Sequence, residues 1–406
     1  VSTLRRIGSE LKVPALSILA AFLVGAILIF LTDVEMLRGL PADPLGSIGL
    51  GIGRVIAAYS ALLRGAFGDP AAYGKALASG GDLNLWTRAV RPLVEGLVAA
   101  VPLIFVGLGV SVAFRTGIFN IGGAGQFLMG ALGGTLAALL FGAGVTPVPF
   151  AILMIMIFGI IGGAAWAFIP GFLKARVGAS EVITTIMLNT IAGNLIFFLV
   201  TNIAFIHREV GVGQPVSTEL SKFVDIPGIL PIAALRLNIA FPIALLTAVA
   251  VSFFLFRSTR GYELRAAGLN LAAAKYAGIA ASGSIITAML ISGGIAGLGG
   301  ALVVVGDAHQ LQPGIEGSVG FTAIAIALVG RTRPLGVVAT ALVFGYLAQG
   351  GRLMQADTII PIDMLLFVQA LVIAFIAAPD LTKQVMRIPF RRNAKPAPKP
   401  VTKGVA

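Results

Sequence analysis

Long apolar runs separated by short polar breaks dominate the chain. A helix needs roughly 20 apolar residues to cross a bilayer. Such runs lie near Val13–Thr32, Leu93–Ala113, Ile121–Phe141, Val148–Ile169, Val182–Phe205, Ile239–Phe256, Ser284–Val305, Val319–Gly330, Leu335–Ala348 and Ile360–Ala378. The pattern predicts an all-α, polytopic bundle of about ten spans. The eighth and ninth runs are short, with Arg331 and Arg333 between them. They read as a tilted hairpin or as a helix pair longer than its apolar core. The first run is expected to stay in place, because Leu31-Thr32-Asp33 is not a small-residue cleavage site.

Between the first two runs the period changes. Ile48, Ile52, Val55, Ile56, Tyr59, Leu62 and Leu63 recur at helical spacing and cover an arc of about 120°. This predicts an amphipathic helix that lies on the outer membrane surface or packs on the outer ends of spans. The segment Ile206–Asn238 is polar, contains Pro and Gly, and is suited to receiving a partner.

Composition removes the soluble alternative. Hydrophobic residues make up 57% of the 406 and charged residues 11%, against about 25% charged in soluble domains. Mean hydropathy is +0.98. The net charge of +12 sits between apolar runs and in the tail, not on a folded basic face, so nucleic acid is not an expected partner. An N-terminus on the cytoplasmic side places Arg5, Arg6, Lys12, Arg115, Lys174, Arg176, Arg257, Arg260, Arg265, Lys275, Arg331, Arg333 and the basic tail inside. Most acidic residues then fall outside. The positive-inside rule therefore predicts both termini in the cytoplasm. The expected organisation is a transmembrane domain over 1–382, with a long extracytoplasmic segment at 33–92 and a cytoplasmic loop at 257–283. A basic tail, 383–406, is read as disordered and attracted to anionic lipid.

Several chemistries are missing. There is no cysteine and there are two histidines, His207 and His309, so no metal site is expected. No G-x-x-x-x-G-K-[ST] loop and no Ser-His-Asp or His-Glu-x-x-His arrangement occurs. No catalytic residue and no bound cofactor are expected. Ion-coupled carriers usually bury charged residues mid-span, whereas Glu95, Glu181 and Asp363 sit near span ends. An ion-coupled secondary transporter acting alone on a small neutral polar solute is the alternative reading.

Three patterns carry candidate chemistry. Glu181, Thr185, Asn189 and Gly193 step by four along one helical face, and Asn194 and Asn202 follow. Amides facing lipid are costly, so this face is expected to point inward, either for interhelical hydrogen bonds or to line a path for a hydroxyl-rich solute. Arg115–Gln126 is glycine-dense and carries Phe119, Asn120 and Gln126. Such backbone breaks a helix where it lines a cavity. Phe119 and Phe127 offer flat faces to a ring. In the loop Arg257–Gly283, Ala272–Tyr276 is helix-forming, Asn270 is placed to cap it and Gly278 to end it. A short cytoplasmic helix of this kind suits docking of a soluble partner. The pairs Gly130/Gly134, Gly159/Gly163 and Gly293/Gly297 are expected to let helices approach closely.

The chain resembles the permease subunits of ATP-binding-cassette importers for simple sugars, nucleosides and branched-chain amino acids, nearest the nucleoside-type branch. Four segments carry the likeness: Ala113–Gln126, Glu181–Asn189, Gly261–Asn270 with Ala277-Gly278-Ile279, and Gly320–Arg331 with Pro334-Leu335-Gly336. It covers roughly residues 90–380. Where the family usually has an acidic residue before the Gly-Gln of the first segment, Ala124 stands. Leu271-Ala272 stand where Pro-Glu is frequent. The resemblance implies ABC ATPase partners that use ATP and Mg, a second permease (the same or a different chain) and an extracytoplasmic binding protein. It implies that Tyr262, Glu263, Arg265, Ala266, Ala267, Gly268, Asn270 and Gly278 belong to the segment coupled to the ATPase. The substrate pathway is then expected to draw on Phe119, Asn120, Gln126, Thr185, Asn189 and Asn194.

Overall fold

The computed structural model describes residues 2–377 except 143, 145, 204, 207–214, 222–223, 231, 233 and 359; for 2–15, 362, 363, 365, 376 and 377 it describes the backbone alone. The basic tail, Asp380 and His207 lie outside the described residues. Fifteen α-helices follow one another among the described residues: α1 Ser2–Leu31, α2 Val34–Gly39, α3 Pro44–Phe67, α4 Pro70–Ala78, α5 Leu83–Arg115, α6 Gly123–Phe141, α7 Val148–Val177, α8 Glu181–Asn202, α9 Ala240–Arg257, α10 Thr259–Leu269, α11 Leu271–Tyr276, α12 Ala281–Val303, α13 Val319–Val329, α14 Pro334–Asp357 and α15 Ile362–Ala377. A single π-turn, Val304–Ala308, extends α12. Among the described residues the only β-pairing is an isolated bridge between Gly228 and Asn238. Every apolar run of the sequence falls on a helix.

The chain divides into a small unit, Val1–Leu28 with Phe367–Ala406, and a large unit, Ile29–Leu366. In the small unit the Ser17 hydroxyl on α1 donates to the Phe375 carbonyl on α15 at 3.1 Å. The large unit holds everything described below.

Close approach of backbones organises its centre. The three small pairs meet in one seam between α6, α7 and α12. A Cβ on Gly130 would lie 2.1 Å from the Gly297 Cα, and one on Gly163 would lie 2.2 Å from the Gly293 carbonyl oxygen. A Cβ on Gly159 would lie 2.4 Å from the Ala301 Cβ. Without a hydrophobic driving force in lipid, such van der Waals packing is what binds helices together. Helices α5 and α12 run antiparallel, with Gly109 against Ser292 and Gly299 against Phe105. While α12 packs on α6 and α7, α5 packs reciprocally on α13 and α14.

Two departures from the sequence expectation concern span lengths. Among the described residues eight helices are long and apolar enough to cross a membrane, and α3, with 24 residues, is one of them. Its predicted apolar stripe is only partly its packing face: Leu62 is buried and Val55 and Tyr59 are half-buried. Ile48, Ile52, Ile56 and Leu63 are exposed, while Gly51, Ala58, Ala61, Leu62, Gly65 and Ala66 are buried. Small residues permit the close approach, and a Cβ on Gly65 would lie 2.9 Å from the Gly350 Cα of α14. Ile48, Ile52, Ile56 and Leu63 point away, as lipid-facing residues do.

The second departure is α13. Its 11 residues rise about 16 Å, half a bilayer. Yet the chain does cross. Asp307 pairs with Arg236, which also pairs with Glu95, more than a third of the way along α5. The Thr332 carbonyl accepts from Arg115 at the C-terminal end of α5, 2.7 Å away. Residues 307–332 therefore travel most of the length of α5, with 309–318 as irregular chain and only the second part helical. Irregular backbone at this depth is tolerated where protein buries it or a cavity borders it. Helix α14 returns the whole way. The sequence reading closed its apolar run at Ala348 because Gln349, Arg352 and Asp357 interrupt it, but these polar residues sit on its last turns.

Candidate functional site

The break between α5 and α6 is a hydrogen-bonded knot. Gly117 takes a φ of 78°, open to glycine without strain, and turns the chain back into the bundle. Asn120 and Gln126 are fully buried. The Asn120 amide donates to Gln126 Oε1 at 3.0 Å and Ser292 Oγ on α12 at 2.9 Å. Its oxygen accepts from the Gly122 N–H at 2.8 Å and from Gln126 Nε2 at 3.1 Å. All the capacity of the Asn120 side chain is used inside the protein.

Helix α8 closes the knot from the side. Asn189 Oδ1 accepts from the Gly125 N–H at 2.8 Å, and its Nδ2 donates to the Ile121 carbonyl at 3.0 Å. Both groups are left without helical partners where α6 starts. Thr185 is fully buried and donates to the Glu181 carbonyl at 2.7 Å. Lys174 meets Glu181 at 2.8 Å across the α7–α8 turn. The inward face predicted from the four-residue spacing is thus present, and the structure gathers Asn120, Gln126, Thr185 and Asn189 at one place.

Asn194 is not part of it. Five residues beyond Asn189 it is rotated about 140° around the helix and is exposed. It joins Thr190, Thr201 and Asn202, all exposed, on the outer side of α8. Asn194 and Asn202 each return one N–H to the carbonyl four residues earlier, at 2.9 and 3.0 Å. The two phenylalanines also part company. Phe127 is core, packed with Val106, Val110 and Ala323. Phe119 is exposed and stacks on Phe114 with centroids 4.8 Å apart.

Trp166 on α7 belongs to the site although nothing in its sequence context marks it. A Cβ on Gly125 would lie 3.0 Å from both Trp166 Nε1 and Asn189 Oδ1. The indole nitrogen is buried and has no hydrogen-bond partner. Glu316, in the irregular 309–318 chain, likewise has a buried carboxyl oxygen without a partner.

The second candidate region lies at the Arg115 end of α5. Helix α10 starts at Ser258, whose Oγ accepts from the Gly261 N–H at 2.9 Å. Asn270 ends α10 and caps α11, accepting from the Ala273 N–H at 3.0 Å. Gly278 closes α11 with a φ of 81°. The predicted short helix, its cap and its stop are all present. Arg115 and Arg265 lie over the Phe256 ring, at 4.9 and 5.1 Å from its centroid, a cation–π arrangement.

Two of the proposed coupling residues face inward. Ala267 is buried, and a Cβ on Gly268 would lie 2.1 Å from the Arg115 carbonyl oxygen. They seat α10 on the end of α5. The outward face is Tyr262 at 62% exposed, Leu269 at 90%, Leu271 at 45% and Tyr276 at 95%. Beside it lies a groove of about 760 Å³, lined by Phe256, Tyr262, Glu263, Arg265, Ala266 and Asn270, among others. Leu269, Leu271 and Tyr276 are sites that sequence reasoning missed. The available signal was large apolar residues in a polar inter-span loop.

No group of three or more potential metal-ligating side chains occurs among the described residues. A bundle of long apolar helices with a buried knot of amides and an exposed helical segment between α9 and α12 fits the membrane subunit of a transporter. The chain belongs to the family described as "Branched-chain amino acid transport system / permease component", which matches residues 93–377. It is 31% identical to the guanosine ABC transporter permease protein NupP of Bacillus subtilis, over 93% of this chain and 96% of that one. It is 33% identical to the nucleoside ABC transporter permease protein NupB of Lactococcus lactis, over 71% and 80%. A glucose ABC transporter permease protein of Haloferax volcanii is 32% identical over 77% and 83%. No solved structure matches. The protein is a multi-pass plasma-membrane subunit of an ABC importer.

Proposed function

We propose that this chain forms half of the translocation pathway of an ATP-driven importer for a nucleoside or related sugar-containing solute. The observation that carries the reading is the exposed polar stripe of α8. Thr190, Asn194 and Thr201 lie on a helix that is long and apolar enough to span and is only 17% buried. A backbone carbonyl satisfies one N–H of Asn194, and the residue is exposed. A second permease placed against this face would turn a costly lipid contact into an aqueous seam rich in hydrogen-bonding groups. The orphan indole N–H of Trp166 supplies a further donor beside the glycine break. Guanosine, nucleoside and glucose in the relatives' names share hydroxyl-rich rings, which suits such a lining.

Energy comes from outside the chain. Tyr262, Leu269, Leu271 and Tyr276 and the neighbouring groove form the surface on which an ATPase subunit docks, and ATP and Mg are used there. An extracytoplasmic binding protein delivers the solute to the opposite end of the bundle. The test is reconstitution with these partners in liposomes and measurement of labelled guanosine and glucose uptake. Uptake should require ATP and should fall at least tenfold in Asn194→Leu while the subunits stay assembled. Full-rate uptake without ATP would sink the reading.

A further inference from the structure

The end of the bundle opposite α10 and α11 carries an arrangement that solute transport does not explain. Arg88 and Arg91 on α5, Arg236 in the α8–α9 connection and Arg352 on α14 line one pocket of about 310 Å³, with Glu95 and Gln349. Three segments far apart in sequence bring four guanidinium groups together.

Part of this charge is structural. Arg236 grips Glu95 through Nε at 3.1 Å and through its terminal nitrogen, and reaches Asp307 Oδ1 at 2.8 Å. The Glu95 side chain is 6% exposed, so its pairing with Arg236 is required by its burial. Hydrogen bonding to Glu95 raises the Arg236 pKa, which fixes its charge. This triad ties the α8–α9 connection to α5 and to the π-turn of α12. Asn238 strengthens the tie by donating to the Gly306 carbonyl at 2.7 Å.

The rest of the charge is surplus. Arg91 adds only a 3.7 Å contact to the already paired Glu95. Arg352 donates to Gln349, a neutral group, at 3.3 Å. Four cations thus surround one acid inside the pocket and a second, Asp307, at its edge. Like charges so close repel one another, and the arrangement is relieved by a bound anion. Guanidinium forks match phosphate and carboxylate oxygens. A tetrahedral phosphate offers acceptors in several directions at once, which suits forks arriving from three different elements better than a planar carboxylate does.

We propose that this pocket binds a phosphate group, through Arg88, Arg91 and Arg352, with Arg236 and Glu95 as its fixed floor. The chemistry is the same whether the phosphate is a lipid headgroup or a soluble anion, and it is independent of the solute transported.

Full-length protein in phosphatidylcholine nanodiscs would be titrated with inorganic phosphate at constant ionic strength, chloride serving as the balance. Saturable binding is expected, at least tenfold weaker in the Arg88→Gln/Arg352→Gln double variant, with Arg88→Lys/Arg352→Lys in between. Neither position pairs with Glu95, and unchanged melting of the double variant in chloride verifies the fold. A parallel arm compares retention of phosphatidylglycerol and phosphatidylcholine by native mass spectrometry. Arginine-dependent retention of phosphatidylglycerol assigns the site to lipid, and binding of inorganic phosphate alone assigns it to a soluble anion. Absence of saturable binding in both arms overturns the proposal, as does equal binding by the double variant. A loss confined to docking of an acidic binding protein also overturns it and makes the pocket a protein contact.

Discussion

At the level of single residues, the amides of the knot separate into structural and pathway roles by whether their hydrogen bonds are closed. Replacing Asn120 with Leu strands Gln126, Ser292 and the Gly122 N–H inside the bundle. Each buried orphan costs on the order of 1–3 kcal/mol, so the variant should lose folded yield and thermal stability together with transport. Trp166→Phe removes only a donor that has no acceptor. It should melt like the parent yet raise the KM for uptake several-fold. Equal melting loss in both variants would remove Trp166 from the pathway. The inward face of Thr185 and Asn189 was readable in the sequence because amides four residues apart share a helical side and avoid lipid. The opposite placement of Asn194 was equally implied by its five-residue offset, but chemical likeness to Asn189 concealed it. Trp166 carries no such marker, since an aromatic in an apolar run looks like any other span residue.

Among the helices, small residues decide the packing. Gly163 faces the carbonyl of Gly293 and the Cα of Gly297, so an added side chain meets backbone rather than a movable group. Gly163→Val should therefore separate α7 from α12 and cost more than the roughly 1–3 kcal/mol typical of overpacking. Loss of monodisperse protein in detergent is the expected readout, with Gly193→Val, which meets nothing within 4 Å, as the tolerant control. The glycine pairs announced this seam in sequence, although which pairs meet depends on tertiary arrangement. The coupling helices show the reverse situation. Their boundaries follow from Asn270 and Gly278, whereas their orientation does not, because only the close contact of Gly268 with Arg115 determines which side faces out. Tyr276→Ala should leave melting unchanged, since the side chain is 95% exposed, and should weaken co-purification of the ATPase subunit. Unchanged co-purification would move the docking surface elsewhere.

Over the whole molecule, the half-helical span and the polar α8 face follow from one requirement, that backbone and amides at membrane depth find partners. Within the chain that requirement is met at α13, where the irregular 309–318 segment runs along the bundle. It is only partly met at α8, whose outer stripe stays exposed among the described residues. Apolar run lengths could not reveal either feature, since hydropathy averages over a helix and ignores which side carries the polar groups. A second permease is the cover we propose, and the chain offers a direct test because it contains no cysteine. Asn194→Cys introduces a single thiol on the stripe. Mild oxidation in native membranes should link it to a second copy if the permease pair is identical. If the pair is unlike, the link should form only when the second permease carries a matching cysteine. Phe168→Cys places a thiol on an exposed position of α7, away from the stripe, and should stay monomeric. Cross-linking at Phe168→Cys with none at Asn194→Cys in either pairing would relocate the interface and leave the α8 stripe without its proposed role.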